Sequence, residues 1–266
     1  MFHILSLILL FICSTTWAQS THLLIVRHGE TYRNKQARWI SGQEDGPDAQ
    51  LNETGRAQVS AFGKQLAERY GKIAAIYSST LGRARESARI LSAYFPSIPL
   101  YEDARLKESG YGRYETMLYT VRTEECQKKY REIEQLAQEK GEVLDPFYKW
   151  KLRLSDIIPY DPSMTLDLHF GEPESAWEVF ERTTAALDEI ANRHLGQIIL
   201  VVTHANVIKT LGIEAESRAK GNTAPLPMFF EPMPGFGVMP VNCSITHFEK
   251  VPGQSLRFLK TEIFNE

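Results

Sequence analysis

Cysteine is scarce in this chain: three occur among 266 residues, and no two form a Cys-x-x-Cys pair. A disulfide scaffold and a thiolate zinc site are thereby excluded as organising features. No apolar run reaches the roughly 20 residues needed to cross a bilayer; the longest is Ile4–Cys13, at the amino end. Neither sign of charge dominates, with 30 Lys plus Arg against 33 Asp plus Glu and a formal charge of -3. That balance argues against a nucleic-acid partner held by bulk attraction. No internal repeat is present, which removes a solenoid. With 43% hydrophobic and 24% charged residues, the composition is that of a globular protein with enough material for a proper core.

The apolar stretch Ile4–Cys13 is followed by Ser14-Thr15-Thr16-Trp17-Ala18 and then Gln19. A short apolar core ending in small residues is the pattern of a secretory signal peptide. We therefore expect residues 1–18 to be a signal cleaved near Ala18, and the protein to be secreted or periplasmic, with no membrane span after cleavage. Residues 19–266 are expected to form the catalytic domain. Cys126 and Cys243 remain in that domain. They either pair in an oxidising compartment or persist as two buried thiols.

Strands alternate with helices along the chain. Leu23-Leu24-Ile25-Val26 and Ile198-Ile199-Leu200-Val201-Val202 are continuous apolar runs, as in strands buried on both faces of a parallel sheet. Ile73–Tyr77 and Ile98–Tyr101 supply two more strands. Asn52 caps a helix carrying Val59, Phe62, Leu66 and Tyr70, and a second helix carries Leu81, Ala84, Ala88, Leu91 and Phe95. Trp177, Phe180, Leu187 and Ile190 mark a long helix ending near Gly196, and helix resumes at Ala205. Strand material at 244–248 and 255–264 flanks a Pro252-Gly253 turn. The pattern predicts an α/β fold: a three-layer αβα sandwich with a mostly parallel central sheet. Between residues 109 and 170 the period breaks, and the many aromatics there predict a helical cap insertion packed over the sheet.

Chemistry-bearing residues collect where strands end, the edge at which ligands gather in parallel sheets. The first strand runs into Arg27-His28-Gly29-Glu30-Thr31, and the fourth into Thr203-His204-Ala205-Asn206. Arg83 lies just inside the helix after the second strand, and Glu108 follows the third. Two histidines, two arginines and a glutamate at one edge suit phosphoryl transfer through a covalent phosphohistidine. An imidazole nitrogen attacks phosphorus, guanidinium forks neutralise the oxygens, and a carboxylic acid protonates the leaving group. The second histidine, if protonated, stabilises the same charge. Zinc is disfavoured, because no HxxxH or HExxH spacing exists and the arginines would repel a cation. No metal or cofactor is called for. His194, in a last helical turn, is accounted for by the helix dipole.

These motifs resemble the histidine phosphatase superfamily, the phosphoglycerate mutase-like family, over roughly Leu23 to Ile245. The resemblance implies that His28 is the phosphorylated nucleophile and that Arg27, Arg83 and His204 line the phosphate pocket. It also implies that Asn34 adds a hydrogen bond to the phosphate and that Glu108 is the proton donor, with Glu115 its rival. The run Leu106-Lys107-Glu108-Ser109-Gly110-Tyr111-Gly112-Arg113-Tyr114-Glu115-Thr116 follows the family pattern except for Thr116, where glycine is usual. Ser41-Gly42-Gln43-Glu44-Asp45 resembles the substrate loop, and Gly171-Glu172-Pro173-Glu174-Ser175 resembles a Gly-Glu-Ser helix start with two residues inserted. Glu30-Thr31 and Ala205 are unlike the acid-phosphatase branch and imply the smaller branch 1. The expected activity is hydrolysis of a small anionic phosphomonoester. The alternatives are a bisphosphoglycerate-dependent mutase and an inactive binding protein.

Overall fold

The computed structural model describes residues 19–36, 42–112, 115–118, 174, 176–219 and 240–264, with isolated positions between 128 and 141. The expected signal at 1–18, most of the expected cap at 109–170, and Cys126 lie outside the described residues. In chain order the elements are β1 (Thr21–Arg27), α1 (Tyr32–Gln36), α2 (Glu53–Arg69), β2 (Ile73–Ser79), α3 (Gly82–Ser92) and β3 (Leu100–Asp103). They are followed by α4 (Ala176–Arg193), β4 (Ile198–Thr203), α5 (Ala205–Ala219), β5 (Ile245–Lys250) and β6 (Arg257–Glu262).

The six strands form one sheet in the order β3-β2-β4-β1-β5-β6. β3, β2, β4 and β1 run parallel, whereas β5 pairs antiparallel with β1 and β6 antiparallel with β5. Successive strand residues face opposite ways, so each apolar run serves two cores. Leu23, Ile25, Tyr77, Ile199 and Val201 pack with Leu187 and Ile190 of α4 and with Ile208 and Leu211 of α5. Leu24, Val26, Ile76, Leu200 and Val202 pack on the other side with Val59, Phe62 and Leu66 of α2 and Ala84, Ala88 and Leu91 of α3. This is the three-layer sandwich expected from the alternation.

Two local expectations shift. The third strand begins at Leu100 rather than Ile98, because Pro99 has no N–H for the ladder and instead accepts from the Ile76 N–H through its carbonyl at 3.0 Å. His194 is fixed by more than a helix dipole: its Nε2 lies 3.0 Å from the Tyr77 hydroxyl and its Nδ1 3.0 Å from Gln197 Oε1. Asn52 caps α2 as expected, its side chain accepting the Gly55 N–H at 2.7 Å. Gly196 ends the α4 region with φ +73°. Among the described residues no helix is long and apolar enough to cross a membrane.

Candidate active site

The carboxyl ends of β1 and β4 are neighbours because these strands pair in register, Arg27 opposite Thr203. The His28 N–H donates to the Thr203 carbonyl at 3.1 Å, extending that pairing by one residue. His28 and His204 are thereby brought side by side, with ring centroids 5.2 Å apart and planes at 59°. Residues 176 positions apart in sequence share one pocket because parallel strands end at the same edge.

The His28 ring is orientated by two contacts. Its Nδ1 lies 2.7 Å from the Gly29 carbonyl, and since a carbonyl only accepts, Nδ1 carries the proton and Nε2 bears the lone pair. Arg83 Nε donates to that Nε2 at 3.2 Å. Burial, reinforced by Arg83 and Arg27, holds the His28 imidazole well below the usual histidine range. It is therefore neutral at ordinary pH and nucleophilic at Nε2. The loop that carries it passes so close to α2 that glycine is required there: a Cβ on Gly55 would stand 2.0 Å from the Glu30 carbonyl oxygen.

Arg83 is 2% exposed and keeps its charge. It donates through Nη2 to the Gly42 carbonyl at 2.6 Å and through Nη1 to the Glu44 carbonyl at 3.3 Å. The loop at 42–44 is itself hung on Glu115, whose carboxylate accepts from the N–H groups of Gly42, Gln43, Glu44 and Tyr111 at 2.8–3.3 Å. Both carboxylate oxygens are taken up in anchoring this loop, which separates Glu115 from the donor role. Thr116, standing where the family has glycine, keeps a left-handed backbone at φ +68°. That conformation costs a residue with a Cβ roughly 1–2 kcal/mol.

Glu108 is 5% exposed. Its Oε1 accepts the Ser109 N–H at 2.8 Å and its Oε2 the Asn206 N–H, at the start of α5, at 3.3 Å. Burial pushes the carboxyl above the usual range, against the pull of these bonds and of Arg83. The group thus keeps its proton to higher pH than an exposed glutamate.

His204 is fully buried, and its Nε2 lies 2.7 Å from Ser79 Oγ. Burial and the neighbouring Arg83 hold it well below the usual histidine range, so it is neutral, not the cation that charge stabilisation by a second histidine suggests. Its Nδ1 is buried without a hydrogen-bond partner. Arg27 donates through Nη1 to the Pro240 carbonyl at 2.6 Å. Asn34 sits beside the nucleophile's backbone, where Asn242 Nδ2 donates to the His28 carbonyl at 2.7 Å and approaches Asn34 Oδ1 at 3.5 Å. Sequence reading identified neither Asn242 nor Ser79. A third missed residue, Arg182 on α4, forks onto Glu174 at 2.5 and 2.8 Å. Among the described residues no cluster of three or more His, Cys, Asp or Glu side chains is arranged to hold a metal ion.

Comparison with known proteins gives the family and the fold. The family described as the histidine phosphatase superfamily (branch 1) matches residues 23–158 and 160–228. Phosphoglycerate mutase-like protein 4 of Arabidopsis thaliana is 30% identical over 200 residues, covering 74% of this chain and 72% of the relative. The metal-independent phosphoserine phosphatase of the same plant is 29% identical over 194 residues, covering 73% of this chain and 68% of the relative. Among solved structures, YhfR of Bacillus stearothermophilus superposes with a TM-score of 0.56 at 29% identity, covering 90% of this chain and 95% of that one.

Proposed function

The chain belongs to the histidine phosphatase superfamily (branch 1), and from that membership and the site's geometry we propose that it is a phosphomonoesterase acting through a phosphohistidine on His28. The observation that carries this reading is the His28 ring. Its Nδ1 is tied to the Gly29 carbonyl at 2.7 Å, while Nε2 meets Arg83 Nε at 3.2 Å beside the His204 ring. A phosphate entering the pocket displaces the Arg83 Nε–H from Nε2 and takes up the guanidinium donors in its place.

In the first half-reaction the Nε2 lone pair bonds to phosphorus and the ester P–O bond breaks. The departing oxygen takes the proton of the Glu108 carboxyl group. In the second, Glu108, now a carboxylate, takes a proton from water as the hydroxyl oxygen bonds to phosphorus. The P–N bond then breaks, inorganic phosphate leaves, and neutral His28 and protonated Glu108 are restored. Arg27, Arg83, Asn34 and His204 hold the phosphoryl oxygens throughout, and the substrate class is a small anionic phosphomonoester.

The test is release of phosphate from p-nitrophenyl phosphate, with His28→Ala as the control. Turnover by the wild type and none by the variant supports the proposal; turnover that persists in His28→Ala removes it. The relatives named as mutases favour a second reading, phosphoryl transfer with return of the group. Activity confined to reactions primed by 2,3-bisphosphoglycerate would select that reading, and a folded protein inert on a broad panel of esters would select a binding protein. We further propose export with cleavage near Ala18. β1 begins at Thr21, so loss of residues 1–18 leaves the sheet whole. A mature amino terminus at Gln19 in the secreted fraction is the expected result, and an intact Met1 overturns it.

A further inference from the structure

The hydrogen bonds of the Arg182–Glu174 pair fall on the backbone that carries Glu108. Arg182 Nη1 donates to the carbonyls of Arg105 and Lys107 at 2.6 and 2.8 Å, and Nη2 donates to the carbonyl of Glu108 at 3.0 Å. The remaining donor directions fork onto Glu174. Glu174 Oε2 in turn accepts the Gly110 N–H at 3.0 Å, and the Glu174 N–H donates to the Gly110 carbonyl at 2.7 Å. Gln43 Nε2 joins the two, donating to the Glu108 carbonyl at 3.0 Å and to Glu174 at 3.3 Å. The turn is therefore gripped on both sides of Glu108 by one half-buried ion pair, with side chains 19% and 18% exposed.

We infer that Arg182, held by Glu174, is the positioning residue for the proton donor: it fixes the backbone at 105–110 so that the Glu108 carboxyl group meets the departing oxygen. The inference rests on the reading of Glu108 as general acid. Thr203 Oγ1 also donates to the Leu106 carbonyl at 2.7 Å and Gln43 to that of Glu108, but each of these holds one carbonyl where Arg182 holds three. Three carbonyls converge on one planar fork, a geometry that guanidinium satisfies and an ammonium group does not. Among the described residues the Glu108 carboxyl group is held by two main-chain N–H groups, that of Ser109, which moves with the turn, and that of Asn206 on α5, which does not, so a shift of the turn moves the carboxyl group relative to the rest of the pocket. A displacement of the turn by a fraction of an ångström misplaces the donor without emptying the pocket of its arginines or imidazoles.

Leaving groups separate positioning from general damage. p-Nitrophenol departs as the phenolate and needs no proton, whereas the alkoxide of glycerol 2-phosphate does. For kcat/KM, which reports the first half-reaction, Arg182→Gln is expected to lose on the order of tenfold more activity on glycerol 2-phosphate than on p-nitrophenyl phosphate. Glu174→Gln, which keeps the size and one acceptor, is expected to show the same bias to a smaller extent. Arg182→Lys is expected to rescue neither. Circular dichroism and thermal unfolding run alongside, and if Arg182→Gln fails to fold the Glu174→Gln comparison decides. Equal loss on both substrates in the folded variant, or no loss, overturns the inference. Glu108→Gln is the control for the premise: if it lacks the leaving-group bias, the donor assignment has failed and not the positioning.

Discussion

Replacing Glu115 by glutamine removes one charge and turns one acceptor into a donor. Its Oε1 accepts from Gln43 and Tyr111 at 2.8 and 2.9 Å, and its Oε2 from Gly42 and Glu44 at 3.0 and 3.3 Å. An amide keeping its oxygen on the shorter pair points its own N–H groups at the N–H groups of Gly42 and Glu44. Glu44 is half-buried and can turn to water, but Gly42 is buried. An orphaned buried N–H costs about 1–3 kcal/mol, and each surviving bond loses about 1 kcal/mol with its charge. About 3–5 kcal/mol is therefore expected at the loop, equivalent to a fall of roughly 6–20 °C in Tm if the loop unfolds with the whole.

The same loop holds Arg83 through the carbonyls of Gly42 and Glu44, so phosphate should bind Glu115→Gln more weakly as well. Roughly 10- to 100-fold corresponds to about 1.4–2.8 kcal/mol of the loop term reaching the arginine. Differential scanning fluorimetry and competitive inhibition by inorganic phosphate measure the two quantities. A Tm unchanged within about 1 °C, with inhibition also unchanged, refutes the anchor role. A variant of full stability that loses only slow-leaving substrates would make Glu115 the donor after all.

The phosphatase proposal requires neutral His28 and protonated Glu108 in the free enzyme. Since the first is held well below 6.5 and the second above 4.5, kcat/KM corrected for substrate ionisation should rise as pH falls from neutrality and decline only far into acid; Glu108→Gln should abolish the alkaline limb, and a limb that persists assigns it elsewhere. Gly55→Ala should destabilise by about 1–3 kcal/mol, because its Cβ meets the Glu30 carbonyl oxygen at 2.0 Å; an unchanged Tm means the loop beside His28 yields freely. Cys243 is buried and free, and burial pushes its thiol up to about 12, so peptide mapping should find it unalkylated in native protein and labelled after denaturation.

What the sequence makes legible is whatever repeats locally or sits at a boundary. Ile198-Ile199-Leu200-Val201-Val202 announces a strand buried on both faces, and the structure divides those residues between two cores. His28, His204, Arg83 and Glu108 were found because each follows a strand, and parallel strands end together. The direction of β5 was not legible, since alternation encodes which face a residue takes but not which way the chain runs. Asn242, Ser79 and Arg182 were missed for a different reason. Their partners lie 214, 125 and 74 positions away, and a side chain bonded to a distant main-chain group or imidazole leaves no periodic trace. Arg182 reads in sequence as one more arginine on a helix.

Charge links these separate observations. Both imidazoles are neutral and burial favours the protonated form of Glu108, while two arginines remain cationic, so the site favours an anion. Of the acidic groups that support Arg83, Glu108 foremost and then Asp45 and Glu115, the last two are spent on backbone N–H groups. A phosphate dianion changes the site as it binds. Negative charge beside a carboxyl or an imidazole favours the protonated form, so the same substrate that needs a proton donor strengthens Glu108 in that state and moves His204 towards the cation. His28 must escape this effect, because a protonated Nε2 cannot attack. The positive charge of Arg83 opposes that protonation, and it stays beside the ring when its Nε–H has turned from Nε2 to the phosphate. A lysine at 83 would preserve the charge but not the three-way fork to His28, Gly42 and Glu44, and so would bind the dianion while losing that geometry.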